Sequence, residues 1–132
     1  VLFRSGGALF IDYGYEFKKN INTLQSVMGH KYNDINKNIG NADITSLVNF
    51  KLYKEYFNSN NLFVEKIITQ SEFLQKMGII ERVKIASNKM NFKEKTNLYL
   101  RLKRLIDAKL MGKDFKVIFA KNKKCNFSLA FK

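Results

Sequence analysis

Two periodicities alternate along this chain and divide it into strands and helices. Residues 6–14 read Gly-Gly-Ala-Leu-Phe-Ile-Asp-Tyr-Gly. The run 8–11 is apolar at every position, so both faces of a strand there need cover, as in a central parallel strand packed between helices. Asp12 stands at its carboxyl end, and Gly14 is expected to turn the chain away with positive φ. Residues 15–46 show no clean period. They are rich in Asn, Asp, Gly and Lys, with Ile21, Leu24, Val27, Met28, Ile35 and Ile39 isolated among them. The expectation is a mostly irregular segment, and a loop of that length in a compact domain is usually functional or disordered.

Regular elements return at Asn49, whose side chain suits the N-cap of a helix over 50–58. Phe50, Tyr53 and Phe57 share one face of it, widened by Leu52 and Tyr56. Residues 62–68, rich in β-branched and aromatic side chains, predict a strand. Thr69 followed by Glu72 is a capping box, and it opens a short helix through Met77 that Gly78 closes. A second short helix is expected over 80–88. Asn91 with Glu94 opens the longest one, over 92–110, with Phe92, Tyr99, Leu102, Leu105, Ile106 and Leu110 along its apolar face and Gly112 as its terminator. Residues 115–120 form a last strong strand, 121–124 a basic turn, and 125–131 an edge strand or a frayed tail.

Strand, loop, helix, strand, helices, strand is an α/β order with one right-handed βαβ crossover. Three or four strands are few for a parallel sheet, so the pattern reads as the second half of an open sheet. Ligands of such sheets bind beyond the carboxyl ends of the strands. That places Asp12, Tyr13, Gly14 and the long loop at the candidate site. The alternative is that Asp12 serves a turn and Tyr13 the core.

Composition narrows the chemistry. The chain has 132 residues, the size of one domain. No apolar stretch approaches the roughly 18 residues of a spanning helix. One cysteine, Cys125, and one histidine, His30, exclude an internal disulfide and leave a zinc site short of ligands, so no metal is expected. Lys plus Arg number 24 against 11 acids, a net charge of +13 that would attract nucleic acid or an anionic surface. The excess is 20 Lys to 4 Arg, beside 15 Asn, 12 Ile and no Pro. An AT-rich coding sequence yields that composition with no partner at all. The cluster Arg101, Lys103, Arg104, Lys109, Lys113, Lys116, Lys121, Lys123 and Lys124 keeps a small nucleic-acid-binding module open, although no RNP, KH or zinc-finger signature accompanies it. Val1 to Ser5 match what the end of a common sequencing adapter encodes. They are expected to be an assembly scar, and the domain is read from Gly6.

Six segments together carry a resemblance. Gly6 to Gly14 resembles the "GG-apolar-IDYG" segment of the MidA family of class I S-adenosylmethionine-dependent methyltransferases. Thr23-Leu24-Gln25 with Gly29-His30-Lys31-Tyr32, Gly40 to Thr45, Val48-Asn49-Phe50, Thr69-Gln70 with Phe73-Leu74 and Met77-Gly78-Ile79, and Met111-Gly112 with Phe115-Lys116-Val117 resemble later segments in the same order. Asn49 replaces the usual Asp of the family, and both cap helices well.

The resemblance implies the C-terminal part of a Rossmann-like sheet. The run 8–11 would be strand five, 62–68 strand six and 115–120 an antiparallel strand seven, with a helical insertion over about 70–112. It implies S-adenosyl-L-methionine as cofactor and a protein arginine as acceptor, with a subunit of respiratory complex I as its source. It also implies a homodimer and a bacterial cytoplasm, or alternatively a mitochondrial matrix. The segments that hold the cofactor in the family have no counterpart in this sequence, so the chain alone is expected to be inactive. A separate partner subunit of a split methyltransferase is a further alternative. The catalytic candidates are Asp12, His30 and Asp43. The cofactor- or substrate-facing candidates are Asp12, Tyr13, Gly14 and Thr45. A carboxylate such as Asp43 suits a guanidinium by bidentate pairing, and His30 suits proton transfer near neutrality. Turn chemistry and packing are the competing roles for each.

Overall fold

The computed structural model describes residues 5–17 and 21–131; residues 1–4 of the expected scar lie outside them. In chain order the elements are β1 (Gly7–Tyr15), β2 (Gln25–Met28), β3 (Lys31–Asn33), β4 (Asp43–Thr45), β5 (Val48–Asn49), α1 (Phe50–Ser59), β6 (Phe63–Val64) and β7 (Ile68–Thr69). Then follow α2 (Gln70–Lys76), α3 (Ile79–Ser87), α4 (Phe92–Ile106), α5 (Met111–Asp114), β8 (Phe115–Lys121) and a 3-10 turn, Leu129–Phe131. The fold is mixed α/β, as the order of periodicities implies.

The main sheet runs β5-β1-β8-β6, with β7 also on β8. β8 is antiparallel to β1 from Gly7 opposite Lys121 to Tyr13 opposite Phe115. β6 and β7 are antiparallel to β8, hence parallel to β1, and α1 makes the crossover between β1 and β6. The strand expected over 62–68 is thus two short pairings. Between them Glu65 N–H donates to the Phe119 carbonyl at 3.0 Å.

The central buried strand is β8, and this corrects the expectation for 8–11. Val117, Ile118, Phe119 and Ala120 are all buried, whereas Leu9, Phe10, Ile11 and Tyr13 are 39–44% exposed. The reason is edge pairing. β8 has neighbours on both edges, while among the described residues β1's second edge is paired only where Gly14 and Tyr15 meet β5. Each face of β8 meets a different layer. Ile118 and Ala120 pack with Phe50, Val64 and Ile67 beneath α1. Phe10 extends that layer by stacking on Phe57 with centroids 5.5 Å apart. Val117 packs on the other face with Ile68, Phe73 of α2 and Ala130. Residues 125–131 therefore form no strand. Ala130 is fully buried, and Phe131 stacks on Phe119 at 5.7 Å. Burying each such aromatic contributes about 1.5–3 kcal/mol.

The caps follow the sequence. Asn49 Oδ1 accepts from Leu52 N–H at 3.3 Å, and both capping boxes form at Thr69/Glu72 and Asn91/Glu94. Glu72 accepts the Thr69 N–H at 2.8 Å and the Thr69 hydroxyl at 3.0 Å, and these bonds hold its carboxyl below the ordinary glutamate value. Gln70, the first residue after the Thr69 cap, is buried. Its Nε2 donates to the Leu105 carbonyl at 2.9 Å and ties α2 to the end of α4.

α4 stops at Ile106, short of the expected 110. Asp107 is extended, and its Oδ1 takes the Lys109 N–H at 2.8 Å, a local bond that competes with helix continuation. Gly112 is consequently not a terminator. It lies buried within α5 and donates its N–H to the Asp107 carbonyl at 3.0 Å. Leu102, Leu105 and Ile106 are half-buried, but Phe92, Tyr99 and Leu110 point largely to solvent, so α4 has no fully buried residue.

Candidate functional site

The long segment before α1, expected to be mostly irregular, folds into a three-stranded antiparallel sheet in the order β3-β2-β4. Met28 pairs with Lys31 across a two-residue turn. Both turn residues, Gly29 (φ 56°) and His30 (φ 63°), are left-handed. This is the primed turn that matches strand twist, and here it closes on Gly-His. The loop after β3 is held by amide side chains in place of a core. Asn33 Nδ2 donates to the Asp34 and Lys37 carbonyls, each at 2.9 Å, and Asn33 Oδ1 accepts from Asn38 at 3.0 Å. The buried Ser26 hydroxyl accepts from Asn33 at 3.2 Å.

One face of the small sheet carries Gln25 and Val27, with Thr45 and Asp43 directly opposite them on β4. That face meets the carboxyl end of β1 across a cleft of about 560 Å³. The lining residues are Asp12, Tyr13, Gln25, Val27, Asp43, Thr45, Ser46 and Leu47. Four of the candidates, Asp12, Tyr13, Asp43 and Thr45, therefore come together. Asp43 and Thr45 sit on a strand, so the competing turn reading of these two does not describe them. Gln25 Nε2 donates to Thr45 Oγ1 at 3.1 Å, and Thr23 Oγ1 accepts from Leu47 N–H at 3.0 Å, fixing the lip of the cleft to β2.

The charge of this cleft opposes that of the chain. Among the described residues its lining holds two carboxylates and no cation, in a protein of net charge +13. Lys116 stands opposite Asp12 across the β1–β8 pair, yet its ammonium donates to the Lys113 carbonyl instead. Asp12 Oδ1 accepts from the Tyr13 N–H at 2.7 Å. Among the described residues neither Asp12 nor Asp43 is in an ion pair.

Gly14 and His30 lie to either side. Gly14 borders a smaller adjoining cleft of about 170 Å³ with Tyr13, Leu47, Lys113, Asp114 and Lys116. Its φ is not positive, which corrects the expected turn: β1 runs through it to Tyr15. Glycine is required there by close approach, because a Cβ would meet the Val48 carbonyl and, at 2.8 Å, the Phe50 ring. His30 sits at the exposed hairpin tip and borders a different cleft with Lys31 and Tyr32. That cleft shares only Gln25 and Val27 with the carboxylate cleft. Sequence reading missed Gln25, Val27, Ser46 and Leu47 as lining residues. The signal available for them was the pair of short runs 25–28 and 31–33 around Gly29-His30.

The donor set fits a cationic centre, such as a guanidinium or a sulfonium, which carboxylates and an aromatic face both favour. It does not supply a cradle for a whole nucleoside cofactor, since no glycine-rich strand-to-helix turn occurs in residues 1–132.

A family model described as "Putative S-adenosyl-L-methionine-dependent methyltransferase" matches residues 1–68, just over half of the chain. The mitochondrial protein arginine methyltransferase NDUFAF7 of Danio rerio is 30% identical over 110 residues, 83% of this chain and 26% of the relative. Its Xenopus tropicalis counterpart is 33% identical over 84 residues, 64% of this chain and 19% of the relative. The chain thus spans about a quarter of the length of the curated relatives it matches. Two crystal structures from Burkholderia thailandensis share the fold at 26% identity. One, of an uncharacterized protein, has a TM-score of 0.80 over 97% of this chain and 36% of its own. The other, a "likely methyl transferase" bound to S-adenosyl-homocysteine, has a TM-score of 0.76 over 95% of this chain and 34% of its own.

Proposed function

The chain belongs to the S-adenosyl-L-methionine-dependent methyltransferase family of that model, and we propose from this premise that it forms the acceptor side of a protein arginine methyltransferase. The observation that carries the reading is the cleft that brings Asp12 and Asp43 together, with no cation among its described lining residues, on a chain that is otherwise strongly basic. When bound, S-adenosyl-L-methionine supplies an electrophilic methyl group. The chain's own residues do the rest of the work proposed here. Asp12 and Asp43 accept N–H hydrogen bonds from the guanidinium and fix its plane. One of them takes the proton released as the nitrogen gains its methyl. Orientation of this kind supplies several kcal/mol in group transfer. Thr45, held by Gln25, and Tyr13 complete the wall against which the acceptor lies.

Activity is assigned to a larger sheet than these residues supply. The second edge of β1 beside Leu9, Phe10 and Ile11 has no partner among the described residues, and a further parallel strand fits it. The relatives, mitochondrial protein arginine methyltransferases, support an arginine acceptor and a mitochondrial setting. A complex I subunit as the acceptor, a homodimer and the bacterial cytoplasm are finer parts of the proposal. The test is methyl transfer from labelled cofactor by the complete polypeptide that carries this chain, offered peptides with arginine or with lysine. The expected product is methylarginine, reduced at least tenfold by Asp43→Asn. Equal labelling of lysine peptides, or full activity in the Asp12→Asn, Asp43→Asn double variant, would contradict it.

A further inference from the structure

We propose that the outward face of α4 docks on an anionic lipid bilayer, with Phe92 and Leu100 as the inserting side chains. α4 is apolar on two sides. Leu102, Leu105 and Ile106 are half-buried on the inner side, where the helix meets α2, α3 and α5. On the other side Phe92 is 87%, Leu100 59% and Tyr99 46% exposed. At 3.6 residues per turn, Tyr99, Phe92, Lys103, Leu100, Lys93 and Arg104 fall in that order within an arc of roughly 140°.

The charges on this helix are five positive to one negative. Its cations are Lys93, Lys95, Arg101, Lys103 and Arg104, and its one acid, Glu94, is committed to the N-cap, accepting the Asn91 N–H at 2.9 Å. Apolar side chains flanked by cations on one helix face are the arrangement of an interfacial helix. The apolar groups enter the acyl boundary while the lysine and arginine heads stay among the headgroups. No helix among the described residues is long and apolar enough to cross a membrane, so α4 would lie in the plane of the surface.

Charge and shape select this occupant. A second copy would set the same cations against each other. A nucleic-acid backbone would satisfy the cations but leave Phe92 and Leu100 in water, because they project from the convex surface of a helix. A bilayer of anionic lipid satisfies both sets at once.

Flotation of the protein with vesicles tests this. The vesicles are phosphatidylcholine, alone or with about 30% phosphatidylglycerol, at about 0.1 M salt. Binding is expected to the anionic vesicles alone. Phe92→Ser with Leu100→Ser weakens it about tenfold, and Lys93→Gln with Arg104→Gln weakens it by about tenfold or more. The control pair Lys123→Gln with Lys124→Gln removes the same charge away from α4 and changes binding by about twofold at most. All these positions are exposed, and circular dichroism confirms that the fold is kept. Three results would overturn the proposal: no binding to anionic vesicles, equal loss in both charge-neutralised pairs, or unchanged binding without Phe92 and Leu100. Tight RNA binding that the vesicles cannot displace would also overturn it and assign the face to nucleic acid.

Discussion

Gly14→Ala adds a single methyl where three elements converge. The new Cβ meets the Val48 carbonyl on the partner strand and the Phe50 ring at 2.8 Å. Ordinary van der Waals contact begins near 3.5 Å, so neither neighbour is at an acceptable distance. A flexible side chain could rotate away, but a backbone carbonyl held in the β1–β5 pair cannot. Phe50 is fully buried at the centre of the α1-side core and has no free space to enter. β5 must therefore separate from β1, dragging Asn49 and the start of α1. Overpacking of this kind costs about 1–3 kcal/mol. Each kcal/mol lowers the midpoint by roughly 3–5 °C in a domain of this size. The thermal unfolding midpoint followed at 222 nm should therefore fall by roughly 3–15 °C. Gly29→Asn is the comparison. Gly29 has open space around it and a left-handed φ that Asn tolerates, so its midpoint should move little. A Gly14→Ala protein as stable as the parent would refute the close approach. A more stable one would show that the restricted unfolded chain outweighs any clash.

Three further outcomes follow from local geometry. Glu65 and Lys121 form an ion pair at 2.6 Å with side chains only 14% and 13% exposed; Glu65→Gln should cost about 1–3 kcal/mol in urea unfolding, since it removes the counter-charge of a largely buried ammonium that keeps the Phe127 carbonyl as an acceptor. The lowered carboxyl of Glu72 contributes stability that is present above the ordinary glutamate value and lost as pH falls through the depressed folded one; Glu72→Gln should flatten that acid limb, and an unchanged limb would show that the capping box carries no linkage. At the hairpin tip, His30→Asn should leave stability within about 0.5 kcal/mol while His30→Val costs about 1 kcal/mol or more, because a β-branched residue resists positive φ; equal midpoints for the two variants would contradict the primed turn.

What the sequence disclosed depended on how local each signal was. Asn49, Thr69 with Glu72, and Asn91 with Glu94 cap helices through bonds spanning three residues, so their spacing alone predicts them. The burial of β1 was misjudged because an apolar run reports a strand's composition and not its neighbours. Phe115 to Ala120 looks no different in pattern, yet β8 is flanked on both edges by β1 and by β6 and β7, whereas among the described residues the second edge of β1 meets β5 at Gly14 and Tyr15 alone. The length of α4 was overestimated because periodicity continues to Leu110 while Asp107 diverts the backbone. The three-stranded sheet escaped notice because its strands are three or four residues long and its turn is Gly-His. Asp12, Tyr13, Asp43 and Thr45 were legible as candidates. Their meeting was not, since it depends on the β2–β4 register and on the tether from Thr23 to Leu47.

The cationic character of the cleft's ligand is the claim on which the functional reading stands. Titration of the isotopically labelled protein with N-methylguanidinium, followed by amide shifts, addresses it most directly. The account predicts saturable shifts centred on Tyr13, Gln25, Thr45 and Leu47, abolished in the Asp12→Asn, Asp43→Asn double variant and absent with methyl phosphate. Shifts scattered over other acidic surfaces, or undiminished in the double variant, would contradict it.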